Sequence, residues 1–276
     1  MIKDLVVNLT LGEDRDVAAE YAVSIASTFE AHVAGLAFAY DPVITPTVMD
    51  GLSASWVEAQ RGENRGAAEA AINRFEELVR RNSLSGGHRL MDASIGSAAS
   101  LFGRIARRFD LSVVAQPEEG ETAPGSLFIE AALFESGRPV VVVPYIQKQG
   151  LSLNRVLIAW NSSRNAARAI ADAMPFLVRS KAVELVIVAN RAGEPDEIPG
   201  IDFGEHLARH GLKVEVKRLV APDVDVTNTI LSYAADCSAD FIVMGGYGHS
   251  RLREFVLGGA TAGIISSMTV PVLMAH

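Results

Sequence analysis

Hydrophobic positions along this chain fall into short runs of strand length, each followed by a polar turn and a stretch with helical spacing. The first run, Asp4-Leu5-Val6-Val7-Asn8-Leu9, leads into an alanine-rich stretch over residues 18–28 that suits a helix. Further runs lie at 32–39, near 89–93, at 109–114 and at 138–143. The order then begins again, with runs at 155–160, 183–189, 213–220, 239–244 and 270–275 and a helical stretch at 166–178. The fourth runs match closely, Phe109-Asp110-Leu111-Ser112-Val113-Val114 against Ala239-Asp240-Phe241-Ile242-Val243-Met244. So do the fifth, Arg138-Pro139-Val140-Val141-Val142-Val143 against Val270-Pro271-Val272-Leu273-Met274-Ala275. The pattern predicts a duplication.

Near-continuous apolar strands alternating with helices predict parallel sheets covered on both faces and joined by right-handed crossovers. Each half is therefore expected to be a doubly wound α/β unit of Rossmann-like type, one over residues 1–147 and one over 151–276. Ligands of such sheets sit beyond the carboxyl ends of the strands, where strand order reverses. The loops after the first, second and fourth strands of each half are thus the places to look. The segment 145–154 is the short linker, with Gln147-Lys148-Gln149-Gly150 at its polar centre.

Composition supports a folded chain: of 276 residues, 49% are hydrophobic and 21% charged, enough for two cores. No apolar run approaches the ~18–20 residues of a membrane-spanning helix, and the start shows no signal-peptide pattern. A cytoplasmic protein without a membrane partner is expected. Cys237 is the single cysteine and reads as a helix-packing residue, which leaves no disulfide framework or multi-cysteine metal site. The formal net charge is −8. Residues 1–148 hold 13 Lys/Arg against 20 Asp/Glu and residues 149–276 hold 12 against 13, so the halves carry −7 and −1. This balance argues against nucleic acid, whose affinity comes largely from Lys/Arg on phosphates. A small anion would meet less repulsion in the second half.

The most informative stretch is Met244-Gly245-Gly246-Tyr247-Gly248-His249-Ser250-Arg251-Leu252-Arg253-Glu254-Phe255-Val256-Leu257-Gly258-Gly259-Ala260-Thr261, which runs from strand to helix. Glycines let a ligand approach the backbone, and free N–H groups at a helix start attract anions, so Gly245, Gly248, Gly258 and Gly259 suit a phosphate cradle. The alternative is that they turn a tight connection and pack the helix on the sheet. The stretch is neither a P-loop, which needs Gly-Lys-Ser/Thr, nor the Rossmann glycine fingerprint after a first strand.

Here the chain resembles the universal stress proteins, specifically the tandem type with two such domains. Nucleotide-binding members of that family carry Gly, two residues, Gly, nine residues, Gly, then Ser or Thr. Gly245, Gly248 and Gly258 keep this spacing, and Gly259 stands where the hydroxyl residue is expected. The resemblance implies two adenine-nucleotide alpha-hydrolase-like domains forming an internal pseudo-dimer through their final strands, Val140–Val143 and Val272–Ala275, with an open question of further homodimerisation. It also implies a stress-response sensor or regulator that binds ATP, AMP or another adenine nucleotide in the second half, with no metal beyond accompanying Mg. Gly245, Gly248, Gly258 and Gly259 would form the phosphate side. Asn161 would replace the family's Asp near the ribose, and Val188 and Ala189 would flank the adenine. Gly259 keeps the backbone donor but lacks the hydroxyl, a loss of ~1 kcal/mol per hydrogen bond. Thr261 is expected to compensate in part.

The corresponding loop of the first half, Gln116-Pro117-Glu118-Glu119-Gly120-Glu121-Thr122-Ala123-Pro124-Gly125-Ser126, keeps only Gly125-Ser126 as a helix start. Its three glutamates would repel a polyphosphate by ~1 kcal/mol each at contact in water. Any nucleotide is expected in the second half alone. His206 and His210 read as a solvated helix face, since no third metal ligand is apparent. His249, Arg251 and Arg253 read as a basic loop tip or as phosphate-facing charge. Ser162-Ser163 reads as a helix N-cap, and no GxSxG elbow or catalytic base is evident. The insertion at 41–66 reads as a loop tucked against its own domain, with a lid or partner surface as the alternative. Two other functions stay open: a nucleotide-independent scaffold for an unknown protein partner and a weak nucleotide hydrolase.

Overall fold

The computed structural model describes residues 1–42, 54–117, 125–189, 203–220, 225–247 and 259–276. The chain packs as two compact units, Ile2–Arg138 and Pro139–His276. The first unit runs β1 (Asp4–Asn8), α1 (Val17–Phe29), β2 (His32–Tyr40), α2 (Ala54–Arg81), β3 (Gly86–Ala93), α3 (Ile95–Ala106), β4 (Leu111–Ala115) and α4 (Gly125–Glu135). Its strands lie in the order β3-β2-β1-β4, all parallel.

The second unit contains β5 (Val140–Val143), β6 (Arg155–Ala159), α5 (Arg164–Leu177), β7 (Ala182–Ala189), α6 (Phe203–Arg209), β8 (Val214–Val220), α7 (Val226–Asp236), β9 (Phe241–Gly245), α8 (Ala260–Ser267) and β10 (Val272–Ala275). Its strand order is β5-β10-β9-β6-β7-β8. All neighbours are parallel except β5, which pairs antiparallel with β10 through Val142↔Val272, Val141↔Leu273 and Val140↔Met274. Both final strands are buried at every position. That pairing groups β5 with the second unit, so the division by packing falls at 138/139, ahead of the linker. An all-valine strand buried on both faces needs a neighbour for its backbone groups, and β10 supplies one.

The repeated Asp before each fourth strand has a structural cause. Asp110 accepts from the backbone N–H of Lys3 and Asp4 at 2.8 and 3.1 Å. Asp240 accepts from those of Asn154 and Arg155 at 3.0 and 3.2 Å. Each carboxylate ties the start of its repeat's first strand to the start of the fourth, a charge-assisted bond that sets their register.

Aromatic packing fills the cores. Phe128 lies 5.4 Å from Phe38 and 5.6 Å from Phe102 in the first unit, and Phe176 stacks on Phe241 at 5.2 Å in the second. All are essentially fully buried, worth about 1.5–3 kcal/mol each in transfer free energy. At the amino ends of the second unit's strands, buried Glu184 of β7 is held by Arg155 of β6 and accepts from the Tyr233 hydroxyl of α7 at 2.6 Å. Desolvation, together with that bond to a carboxylate, pushes the Tyr233 phenol well above its usual range.

The insertion at 41–66 is not a loop over its second part. Residues from Ala54 onward are the start of α2, a helix of 28 residues. Only its later turns carry a buried stripe, Ala68, Ala71, Ile72 and Phe75, with the spacing of one helix face. The earlier turns bury nothing fully, and their half-buried face, Val57, Gln60, Asn64 and Ala67, is half polar and so gives no clear hydrophobic period in the sequence. They are fastened by Asn64, which donates to the Tyr40 carbonyl at 2.7 Å, and by Arg65, paired with Asp92 at 3.2 Å. Residues 43–53 of the insertion lie outside the described residues. No helix among the described residues is long and apolar enough to cross a membrane.

Candidate functional site

In the second unit the chain runs from β6 through β7 to β8 on one side and from β9 to β10 on the other, so strand order reverses between β6 and β9. Connections leave those two strands in opposite directions, which opens a crevice beyond their carboxyl ends. The residues at those ends define the site.

Gly245 closes β9. A Cβ there would stand 2.6 Å from the Ala166 backbone nitrogen and 2.8 Å from the Asn165 carbonyl carbon. The missing side chain therefore lets the first turn of α5 press against the strand. Asn165 is 3% exposed and donates from its amide to the carbonyls of Gly246 at 2.7 Å and Tyr247 at 3.1 Å. Tyr247 takes a left-handed conformation, φ +47°, uncommon for a residue with a side chain. Its N–H donates to the Thr261 hydroxyl at 2.9 Å. That bond brings the first turn of α8 to the exit of β9. Gly259 caps α8 without a side-chain hydrogen bond, so this helix start presents main-chain donors that no cap side chain engages.

On the neighbouring strand, Asn161 lies exposed just past β6, and its side-chain oxygen accepts from the Ser163 N–H at 3.1 Å. Ser162 is left-handed, φ +58°, and Ser163 is the N-cap of α5, accepting from the Ala166 N–H at 3.1 Å. Val188 and Ala189 end β7, in register with Leu219 and Val220 of β8. Gly245, Gly259, Thr261, Asn161, Val188 and Ala189 thus all stand at carboxyl ends of adjacent strands or at the helix start docked there. Gly248 and Gly258 lie outside the described residues, as do His249, Arg251, Arg253 and the glutamates of the first-half loop.

Three features were not legible beforehand. Asn165 stands just ahead of the stretch 166–178 that the spacing marks as helical, in the first turn of α5, and its burial depends on what packs against it there rather than on any local pattern. The Thr261 hydroxyl, assigned to phosphate by sequence, accepts from Tyr247. Trp160 stacks on Phe203 at 4.1 Å and 14°, and the aromatic row continues to His206 at 5.2 Å and His210 at a further 4.8 Å. Both histidines remain exposed. Among the described residues, no group of three or more His, Cys, Asp or Glu is placed to hold a metal ion.

This arrangement coincides with a match to a known family, since residues 153–276 fit the model of the universal stress protein family. The chain is also 29% identical over 171 residues to the universal stress protein Slr1230 of Synechocystis sp. (strain ATCC 27184 / PCC 6803 / Kazusa). The match covers 59% of this chain and 58% of that relative, so it spans well under two thirds of the relative's length. Among solved structures, a universal stress protein from Archaeoglobus fulgidus DSM 4304 is similar at a TM-score of 0.73 and 17% identity. It covers 99% of this chain and 95% of its own. A functionally unknown protein, PA1789 from Pseudomonas aeruginosa PAO1, is similar at 0.60 and 14%, over 99% and 92%. At such identities the likeness is one of fold, and it extends over both repeats. The site described above lies wholly within the residues that match this family.

Proposed function

We propose that this protein is a tandem universal stress protein with a stress-linked sensing or regulatory role, and that its second unit binds ATP, AMP or another adenine nucleotide in the β6/β9 crevice. The observation that carries this reading is the uncapped start of α8 at Gly259, drawn to the exit of β9 by the Tyr247–Thr261 hydrogen bond. Main-chain donors at a helix start, set at a topological switch point, favour an anionic ligand. Gly245, Gly248, Gly258 and Gly259 form the phosphate side, Asn161 meets the ribose, and Val188 and Ala189 flank the base. Thr261 contributes by fixing the loop. Mg accompanies the nucleotide, and both repeats belong to one pseudo-dimeric, cytoplasmic protein.

The scaffold reading draws support from a specific observation: Gly245, Asn165 and Thr261 all serve internal packing, as a loop kept for folding alone would require. Mass spectrometry of small molecules released from freshly purified, denatured protein separates the two. An adenine nucleotide in near-stoichiometric amount is the expected result. Its absence, together with no exchange of added ATP into the protein, favours the scaffold.

A further inference from the structure

Strand β8 lies at the end of the second unit's sheet, paired with β7 on one side; among the described residues no strand pairs with its other side. A bare edge offers a row of backbone donors and acceptors to another chain, and proteins commonly blunt it with bulges, prolines, brevity or charged side chains. Of these β8 carries only the charges, Glu215, Lys217 and Arg218. Its seven residues pair with β7 in unbroken register from Val214 to Val220, and none is proline. Val216 and Val220 are 37% and 51% exposed. On the other face Lys217 is paired with Glu215 of the same strand.

We propose that β8 is the surface through which two copies of this chain associate, the two β8 strands pairing antiparallel about a two-fold axis at Val216. A two-fold axis normal to a sheet keeps each residue on its own face, so the axis must fall at a residue opposed by its own copy. Only centres at Val216, Lys217 or Arg218 pair at least five strand residues. A centre at Lys217 sets two ammonium groups opposite each other, and one at Arg218 does the same with guanidinium groups. A centre at Val216 sets Glu215 opposite Lys217 of the second copy, and Lys217 opposite its Glu215, while on the other face Val216 meets its own copy and Val214 lies opposite Arg218. Unlike charges directly across a ladder stabilise it and like charges oppose it, so the sequence of β8 is complementary to itself in this register alone. A single strand pair buries less than a standard interface, which makes the dimer concentration-dependent.

Sedimentation equilibrium of the full chain over a concentration series tests this directly. The expected mass rises from 29.4 kDa towards twice that value, Lys217→Glu abolishes the rise, and the charge swap Glu215→Lys with Lys217→Glu restores it. A misfolded variant would not be rescued by a second charge change. In a Cys237→Ser background, Val216→Cys forms a disulfide-linked dimer under mild oxidation, because the two residues face each other across the axis. A chain that stays monomeric throughout, a dimer indifferent to Lys217→Glu, or a dimer that gives no Val216→Cys cross-link would each overturn the proposal.

Discussion

The two repeats solve the same packing problem, the contact between the end of the fourth strand and the start of the first helix, with opposite residues. In the first repeat the second helical residue after the N-cap Asp16 is Ala18, and the strand ends on Ala115. In the second repeat the residue in that place after the N-cap Ser163 is Asn165, and the strand ends on Gly245. At these matching positions the first repeat carries two methyl groups, and the second an amide on the helix and no side chain on the strand. The exchange gives the second repeat a side chain that grips the loop leaving β9, which Ala18 cannot do. The loops after the first strands differ too. In the first repeat, buried Asp16 accepts from the N–H groups of Thr10 at 2.7 Å and Ala19 at 2.9 Å and folds its loop inward. Burial pushes that carboxyl above its ordinary range, with those hydrogen bonds acting in opposition. The second repeat uses neutral Ser163 and a shorter connection. A duplicated fold can thus keep its scaffold while one copy reshapes the strand ends where ligands sit.

The largest expected effect comes from forcing a side chain into the tight contact. Gly245→Val should destabilise the second unit by about 3 kcal/mol through overpacking against α5, whereas Ala115→Gly in the first repeat should cost only about 0.5–1 kcal/mol. In a Trp56→Phe background, Trp160 fluorescence during urea unfolding reports the second unit. Equal costs at the two sites would dissolve the contrast. Next, Asn165→Ala should cost about 2 kcal/mol, since it leaves the carbonyls of Gly246 and Tyr247 without their donor. Combining it with Gly245→Ala imports the first repeat's pair, so the double variant should lose less than the sum of the two singles; strict additivity would mean that the residues are not coupled. Thr261→Val should cost about 1 kcal/mol and speed hydrogen exchange at the Tyr247 amide, with unchanged exchange counting against the observed bond. The smallest effect is a gain. Gly259→Ser should add a few tenths of a kcal/mol as a better cap and tighten nucleotide binding several-fold, which parallel titrations of the two proteins would reveal.

Much of this molecule was legible in its sequence because buried parallel strands are written as continuous apolar runs, and because Asp110 and Asp240 mark the same place twice. The β5–β10 pairing followed from the family resemblance and agrees with two all-buried final strands. Helix α2 was missed over its first turns because the face it half-buries there includes Gln60 and Asn64, which interrupt any hydrophobic period. Its anchors, Asn64 to a strand-end carbonyl and Arg65 to Asp92, are long-range contacts that no local pattern encodes. The site was legible in outline only. Glycine spacing pointed to the end of β9, but the role of Gly245 depends on what stands opposite it, and Asn165 lies 80 residues earlier in the chain. Thr261 was assigned by distance from Gly259 alone, whereas its hydroxyl is turned to a loop amide.

The central claim, that one repeat of the two accepts an adenine nucleotide, is tested most directly by calorimetric titration of the full chain with ATP and with AMP. The account predicts saturable heat with one site per chain, lost in Gly248→Arg and unaffected by Gly125→Ala in the other repeat. Two sites per chain, a signal untouched by Gly248→Arg, or no heat at millimolar nucleotide would contradict it.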